Sequence, residues 1–244
     1  MTQIFSEFLK QHLCVVIQPI VDAVTKEVHF YEILSRVEFG GKTHFPADFI
    51  PDMNIQMRLR LAKHLFKSIC ELQAKYPDMT FSLNISSIEI DLGIDEFLES
   101  LFLSPEYHLD TNRCVIEITE HASIDNPKTF ESIKNIKKRF GFKFALDDFG
   151  SKFSTLNKIY DAEDVFDYIK IDGALIKDIE SDYSKQVSLH HIVQLIQANG
   201  KKAIVEYISS EEVHEKVMIA NPDYLQGFLF GKPCKVEDYL NIKS

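Results

Sequence analysis

An α/β barrel is the fold this sequence predicts, and three observations predict it. Apolar runs alternate with amphipathic helical segments along most of the chain, which implies a mainly parallel sheet. Six of the runs end in an acid, an amide or a lysine: Phe81-Ser82-Leu83-Asn84, Val115 to Glu120, Phe144 to Asp148, Tyr168 to Asp172, Ala203 to Glu206, and Tyr224 to Gly227. The first two runs, Cys14–Ile20 and Val28–Ser35, have only Val21–Glu27 between them, too little for a crossover helix, so they pair antiparallel. Parallel strands are apolar because both faces are buried, and a barrel carries its chemistry at their carboxyl ends. The expected architecture is a (β/α)8 barrel of the TIM type with an antiparallel first strand, as one domain over residues 1–244. Closure rests on the strand count and the polar tips; periodicity alone does not separate a closed barrel from an open sheet.

The elements follow in order. After the opening pair, Asn54–Lys75 reads as a long amphipathic helix and Thr80–Ile85 as a strand. Helices are expected near Asp95–Leu103, Pro127–Phe140, Lys185–Asn199, Ser210–Ala220 and Val236–Asn241. Asn199-Gly200 is a helix stop. Ser209 or Ser210 ahead of Glu211-Glu212 is a helix start, with acids at the positive end of the dipole.

Composition excludes several classes. With 244 residues, 45% of them hydrophobic, the chain can bury a core without disulfides. Its four cysteines, Cys14, Cys70, Cys114 and Cys234, form no CxxC pair, which argues against zinc. Cys14 and Cys114 lie in apolar runs and are expected as buried free thiols. The first residues show no signal peptide, and no apolar run approaches the ~20 residues of a membrane span. A cytoplasmic location is expected. The net charge of −10 argues against a surface for duplex nucleic acid. A small phosphate ester stays admissible, because a bound cation reverses the local potential.

Each polar tip has a plain structural reading. Asp147-Asp148-Phe149-Gly150 could cap a helix before a tight turn, Glu117 and Glu120 could be surface acids, and Lys170 could be a neutralising partner. As a set, Glu32, Glu117, Glu120, Asp147, Asp148, Asp172 and Glu206 are expected to converge on one mouth. Clustered carboxylates raise one another's pKa values unless cations share the site. An oxygen-rich set without His or Cys suits hard divalent ions such as Mg²⁺ or Mn²⁺, and paired ions suit phosphate-ester hydrolysis.

These motifs together resemble the EAL-domain cyclic-di-GMP phosphodiesterases, from Gln18-Pro19-Ile20 to Gln226-Gly227-Phe228-Leu229-Phe230-Gly231-Lys232-Pro233. Glu32-Ile33-Leu34-Ser35-Arg36 keeps the Glu-x-Leu-x-Arg frame. Asn84-Ile85-Ser86 is similar to the family's Asn-x-Ser, Glu117-Ile118-Thr119-Glu120 to its Glu-x-Thr-Glu, and Lys170-Ile171-Asp172 to its Lys-Ile-Asp. Asp147-Asp148-Phe149-Gly150 resembles its Asp-Asp-Phe-Gly. The resemblance implies a barrel whose first strand is antiparallel, and hydrolysis of cyclic-di-GMP to linear pGpG with two Mg²⁺ or Mn²⁺ ions; Ca²⁺, which prefers longer and looser coordination, is expected to inhibit. It implies that Glu32, Asn84, Glu117 and Asp147 hold one metal, with Asp147 bridging to a second beside Asp148. Lys170 and Glu206 would flank the attacking water, Gln226 would bond within the same pocket, and Glu120 would tie the loop after Asp148 to the site. Arg36, with Gln18, Leu34, Asp172 and Pro233, would bind substrate.

Three departures from the family's pattern stand out. Lys152 replaces a Gly after Asp-Asp-Phe-Gly; Glu206-Tyr207-Ile208-Ser209 replaces Glu-Gly-Val-Glu; and Asp52–Leu59 lacks the Ala-Glu and Gly-Leu-Ile elements. They bear on rate and metal coupling more than on substrate binding. The competing function is a catalytically weak or inactive member that binds cyclic-di-GMP or a regulatory protein partner. A homodimer stays open, although the second Glu associated with dimer contacts is missing. A barrel acting on a sugar phosphate has little support, since Gly227 and Gly231 are isolated. No sensory or cyclase module fits in this length.

Overall fold

The computed structural model describes residues 8–9, 11–119, 127–150 and 165–243. Its centre is a closed ring of eight strands. These are β1 (Leu13–Asp22), β2 (Val28–Phe39), β4 (Phe81–Ile85), β5 (Cys114–Thr119), β6 (Lys143–Phe149), β7 (Tyr168–Ile171), β8 (Lys202–Val205) and β9 (Tyr224–Gln226). β1 runs antiparallel to both neighbours, pairing Gln18 with Glu32 on β2 and Ile20 with Gln226 on β9, while the other ring pairs are parallel. The short opening interval thus gives the antiparallel first strand that the sequence predicts.

β2 runs past its polar tip to Phe39 because its end forms a hairpin with β3 (Lys42–His44), through left-handed Gly40 and Gly41. Sequence reading missed that hairpin and the short helix α1 (Pro46–Phe49). The long helix α2 (Ile55–Lys75) starts where expected, with Asn54 accepting from the Met57 amide. Also missed is α3 (Ser87–Asp91), although Ser86-x-x-Glu89 is the sequence of a capping box; the Ser86 amide donates to Glu89 at 2.9 Å. The helices α4 (Ile94–Phe102), α5 (Pro127–Phe140), α6 (Gly173–Ile176), α7 (Tyr183–Ala198), α8 (Glu211–Met218) and α9 (Val236–Lys243) complete the described set. Of the two candidate starts for α8, Ser210 is the cap and accepts from the Val213 amide. Cys114 is buried, but Cys14 is only half-buried beside Glu38, because β1 enters the core only from Ile17 onward.

The barrel interior is built in levels. Ile20, Phe30, Val115, Ala145, Tyr168 and Ile204, one from each of six strands, form a closed apolar cluster with Tyr224 against it. Side chains alternate between the two faces of a strand, so the next inward position lies two residues on. That step leads from Phe30 to Glu32, Val115 to Glu117, Ala145 to Asp147, Tyr168 to Lys170, Ile204 to Glu206 and Tyr224 to Gln226. On antiparallel β1 it runs backwards, from Ile20 to Gln18. An apolar plug therefore floors a layer of polar and charged groups, and the outer face of each strand packs against the surrounding helices.

Candidate active site

Lys170 is the hub of the polar layer. Its Nζ lies 2.6 Å from Glu117, 2.9 Å from Glu206, 3.0 Å from Asp147 and 3.4 Å from Glu32. The side chain is 1% exposed, so four carboxylates face one ammonium with almost no water. Two amides complete the layer: Asn84 Nδ2 and Gln226 Nε2 each donate to Glu32 at 2.7 Å. Gln226 also reaches Gln18, which donates to the Gly231 carbonyl at 3.2 Å.

This excess of negative charge shifts the titrations. Burial pushes the Glu117 carboxyl up to about 8, reinforced by Glu32 and opposed by Lys170. Burial also lifts Asp147 and carries Glu206 well above the usual carboxylate range, again against the pull of Lys170. Burial would raise Glu32 too, but Lys170 and the two amide hydrogen bonds outweigh it and hold this acid below its ordinary value. Burial disfavours the Lys170 ammonium, yet the four acids keep its pKa well above that of a free lysine. Without further cations, the cluster must keep protons at neutral pH.

Asp147 and Asp148 are adjacent, and on a regular strand they would face opposite sides. The β6–β7 register shifts between Leu146 and Phe149, and Asp148 adopts left-handed φ, +59°. That irregularity brings both carboxylates to one side, a use of local strain found at functional sites. Gly150 follows at φ +99°, and a Cβ there would lie 2.0 Å from Leu175, so only glycine fits the turn. The pair-then-glycine order was legible in the sequence; the bulge was not.

Two sets of oxygens stand close enough to share an ion: Glu32, Glu117 and Asp147, and then Asp147, Asp148 and Glu206, each within 4.8 Å of one another. Asp147 belongs to both. Asn84 Oδ1, Glu117 Oε1, Asp147 Oδ1 and Gln226 Oε1 are buried with no hydrogen-bond donor among the described residues. Asp147 Oδ1 does lie 3.0 Å from Lys170 Nζ, as one arm of the ion-pair cluster. Buried acceptors left unpaired at this density fit a cation-binding centre.

Above the layer opens a cavity of about 460 Å³, lined by Gln18, Glu32, Leu34, Arg36, Asp147, Asp148, Lys170, Glu206, Gln226 and Pro233 among others. Most of the expected site thus converges. Leu34 also borders a neighbouring, more apolar cavity of about 380 Å³ that includes Arg58 and Ile88, and Asn84 lines that second cavity rather than the first. Asp172 does not line the mouth; its carboxylate caps α6, accepting from the Ala174 amide. Glu120 and Lys152 lie outside the described residues. Sequence reading treated Tyr207 and Ser209 only as departures and gave Phe228 no role, yet all three line the mouth. The loops carrying them touch: a Cβ on Gly227 would meet the Ile208 backbone at 2.1 Å, so this glycine permits the approach.

Comparison with known proteins agrees with this geometry. The EAL domain model matches residues 2–233. The cyclic di-GMP phosphodiesterase PdeF of Escherichia coli strain K12 is 27% identical over 223 residues, covering 87% of this chain and 29% of the relative. The chain therefore spans less than a third of the length of that protein. Bd1971, solved as an EAL enzyme in a form bound to cAMP and cyclic-di-GMP, superposes with a TM-score of 0.84 at 24% identity, over 99% of this chain and 67% of the other. BlrP1 of Klebsiella pneumoniae, solved as a manganese and cyclic-di-GMP complex, superposes with a TM-score of 0.78 at 23% identity, over 92% of this chain and 56% of the other. The structural likenesses establish the fold. The sequence match runs through all eight strands of the ring, and the chain belongs to the EAL domain family.

Proposed function

We propose that this chain hydrolyses one phosphodiester of cyclic-di-GMP to linear pGpG with the help of divalent cations. The observation that carries this reading is the pair of carboxylate sets sharing Asp147 beneath an open cavity. Glu32, Asn84, Glu117 and Asp147 would hold one ion, and Asp147 with Asp148 a second. The all-oxygen donor set suits Mg²⁺ or Mn²⁺. Such ions, when bound, lower the pKa of water and absorb charge on phosphoryl oxygens. Glu206, beside Asp147 and Asp148 on the wall of the cavity, accepts the proton of the attacking water. Lys170 holds the acids of the layer in place and offsets charge that builds beside them. Arg36, on the wall of the cavity, binds a substrate phosphate through its planar fork. Gln18, Leu34 and Pro233 supply further contacts in the mouth.

The receptor reading draws on Tyr207, a bulky ring at left-handed φ next to Glu206. A receptor, however, needs no second carboxylate set around Asp147. The test is incubation of purified protein with cyclic-di-GMP and Mn²⁺ or Mg²⁺, with products separated by chromatography. pGpG should form, stop with chelator, resume with either ion, and be inhibited by Ca²⁺, which prefers looser coordination. Binding without product would establish the receptor; undiminished turnover in excess chelator would remove the metals. We further take residues 1–244 as one barrel domain acting in a reducing cytoplasm, consistent with free thiols at Cys14, Cys70, Cys114 and Cys234. Among the described residues no helix is long and apolar enough to cross a membrane.

A further inference from the structure

The geometry points to Tyr207 as a stacking surface for a purine base of the bound dinucleotide, a contact that selects substrate rather than performing chemistry; this rests on the function proposed above. Four observations support it. Tyr207 follows Glu206 directly and lines the same cavity, so its ring stands at the edge of the reacting centre. Its backbone sits at φ +62°, a conformation that disfavours a side chain, so the ring is retained against local strain. The ring also packs over Gly173. A Cβ on Gly173 would lie 2.4 Å from Tyr207 Cγ and Cδ2, so the aromatic side chain occupies the space that the glycine leaves open. Finally, the residue is 69% exposed and stacks on no other ring among the described residues. A large apolar face, backed by a glycine backbone and opening on a site for an anionic dinucleotide, is matched by the π-face of a base.

The ring also separates the mouth from a shallower recess formed by Gly173, Lys177, Asp178 and Ser209. A base laid on Tyr207 would be directed along that side while its phosphate stays over the carboxylates. The neighbouring loop presents a second exposed ring, Phe228, in the same cavity.

The chain has no tryptophan, so Tyr207→Trp introduces a single reporter at this position. Its emission should be quenched on adding cyclic-di-GMP in Ca²⁺, with affinity within about threefold of the unsubstituted protein. Tyr207→Phe should keep the affinity. Tyr207→Leu and Tyr207→Gly should each raise Kd and KM about 10-fold, within the ~5- to 100-fold range of one base–aromatic stack, while kcat falls less than about twofold. Glycine accepts the left-handed backbone without strain, so the Gly variant should melt no lower than the unsubstituted protein, which separates lost stacking from lost folding. Unchanged KM in both variants, tighter binding in either, or an unquenched tryptophan in a protein that binds would overturn the assignment. If the unsubstituted protein neither binds nor hydrolyses cyclic-di-GMP, the proposed function fails and this assignment falls with it; normal binding that is indifferent to Tyr207 overturns the assignment alone.

Discussion

Replacing Lys170 by Met tests whether one ammonium holds the charged layer together. Met has similar length and no charge, so the substitution removes the cation while keeping most of the volume. Four carboxylates, at 2.6 to 3.4 Å from Nζ, then face one another without that ammonium, while Asn84 and Gln226 still donate to Glu32. Removing one partner of a buried ion pair costs about 3–5 kcal/mol, because the remaining charge has nowhere to go. For a chain of this size, that corresponds to roughly 6–20 °C in Tm. The effect should be largest in chelator at pH 8, where the acids would otherwise ionise. It should shrink at pH 5, where proton uptake neutralises them, and shrink again at pH 8 when Mn²⁺ supplies positive charge. Thermal melts of the two proteins under these three conditions measure it. A shift of under about 2 °C in chelator at pH 8 would refute the view of Lys170 as the layer's cation.

Two further outcomes follow from the same cluster. Asp147→Asn should abolish turnover and weaken Mn²⁺ binding more than about 100-fold by calorimetry, because one residue serves both oxygen sets and even supporting partners of ligands are worth 10- to 100-fold. The unsubstituted protein in chelator should lose stability as pH rises: Glu117 is lifted from an ordinary 4.5 to about 8, so its contribution is complete below 4.5 and lost on the way to 8. Asp147 and Glu206 act in the same direction and Glu32 in the opposite one, so melts across this range should show a net fall that Mn²⁺ reverses at the upper end.

Much of this was legible in the chain. The ring of strands could be read from apolar runs with flanking helical periodicity, and the antiparallel opening from the shortness of Val21–Glu27. Most of the acids could be read as a set because they stand near the ends of strands, while Glu32 lies within Val28–Ser35 and joined the set through the Glu-x-Leu-x-Arg frame. Other features are invisible to that reading. The β3 hairpin extends a strand beyond its polar tip, where burial pattern no longer marks it. Asp172 looks like another mouth acid, yet its place before Gly173-Ala174 makes it a cap, a competition between local hydrogen bonding and the site that sequence spacing does not decide. Asp148 joins Asp147 only through a register shift and a left-handed residue, neither of which has a compositional signature. Tyr207 was noticed as a bulky residue in a glycine's place; its fit into the space above Gly173 joins the end of one strand with the start of another helix and exists only in three dimensions.

The levels of the barrel explain how so unfavourable a cluster persists. An isolated layer of four acids, one lysine and two amides would not be a stable core, since buried charge is costly even when paired. Here the layer begins one alternation above an apolar plug drawn from six strands, and each strand's outer face is buried under helices. The apolar levels supply the cohesion, and the polar level is carried by strands already fixed in register. That division predicts where sequence change is tolerated: substitutions in the plug should alter stability with the chemistry intact, while substitutions two residues further along the same strands should alter cation and nucleotide binding. Lys170 is where the two overlap. It is as buried as the plug and as charged as the site, so it links the stability of the barrel to the state of its acids.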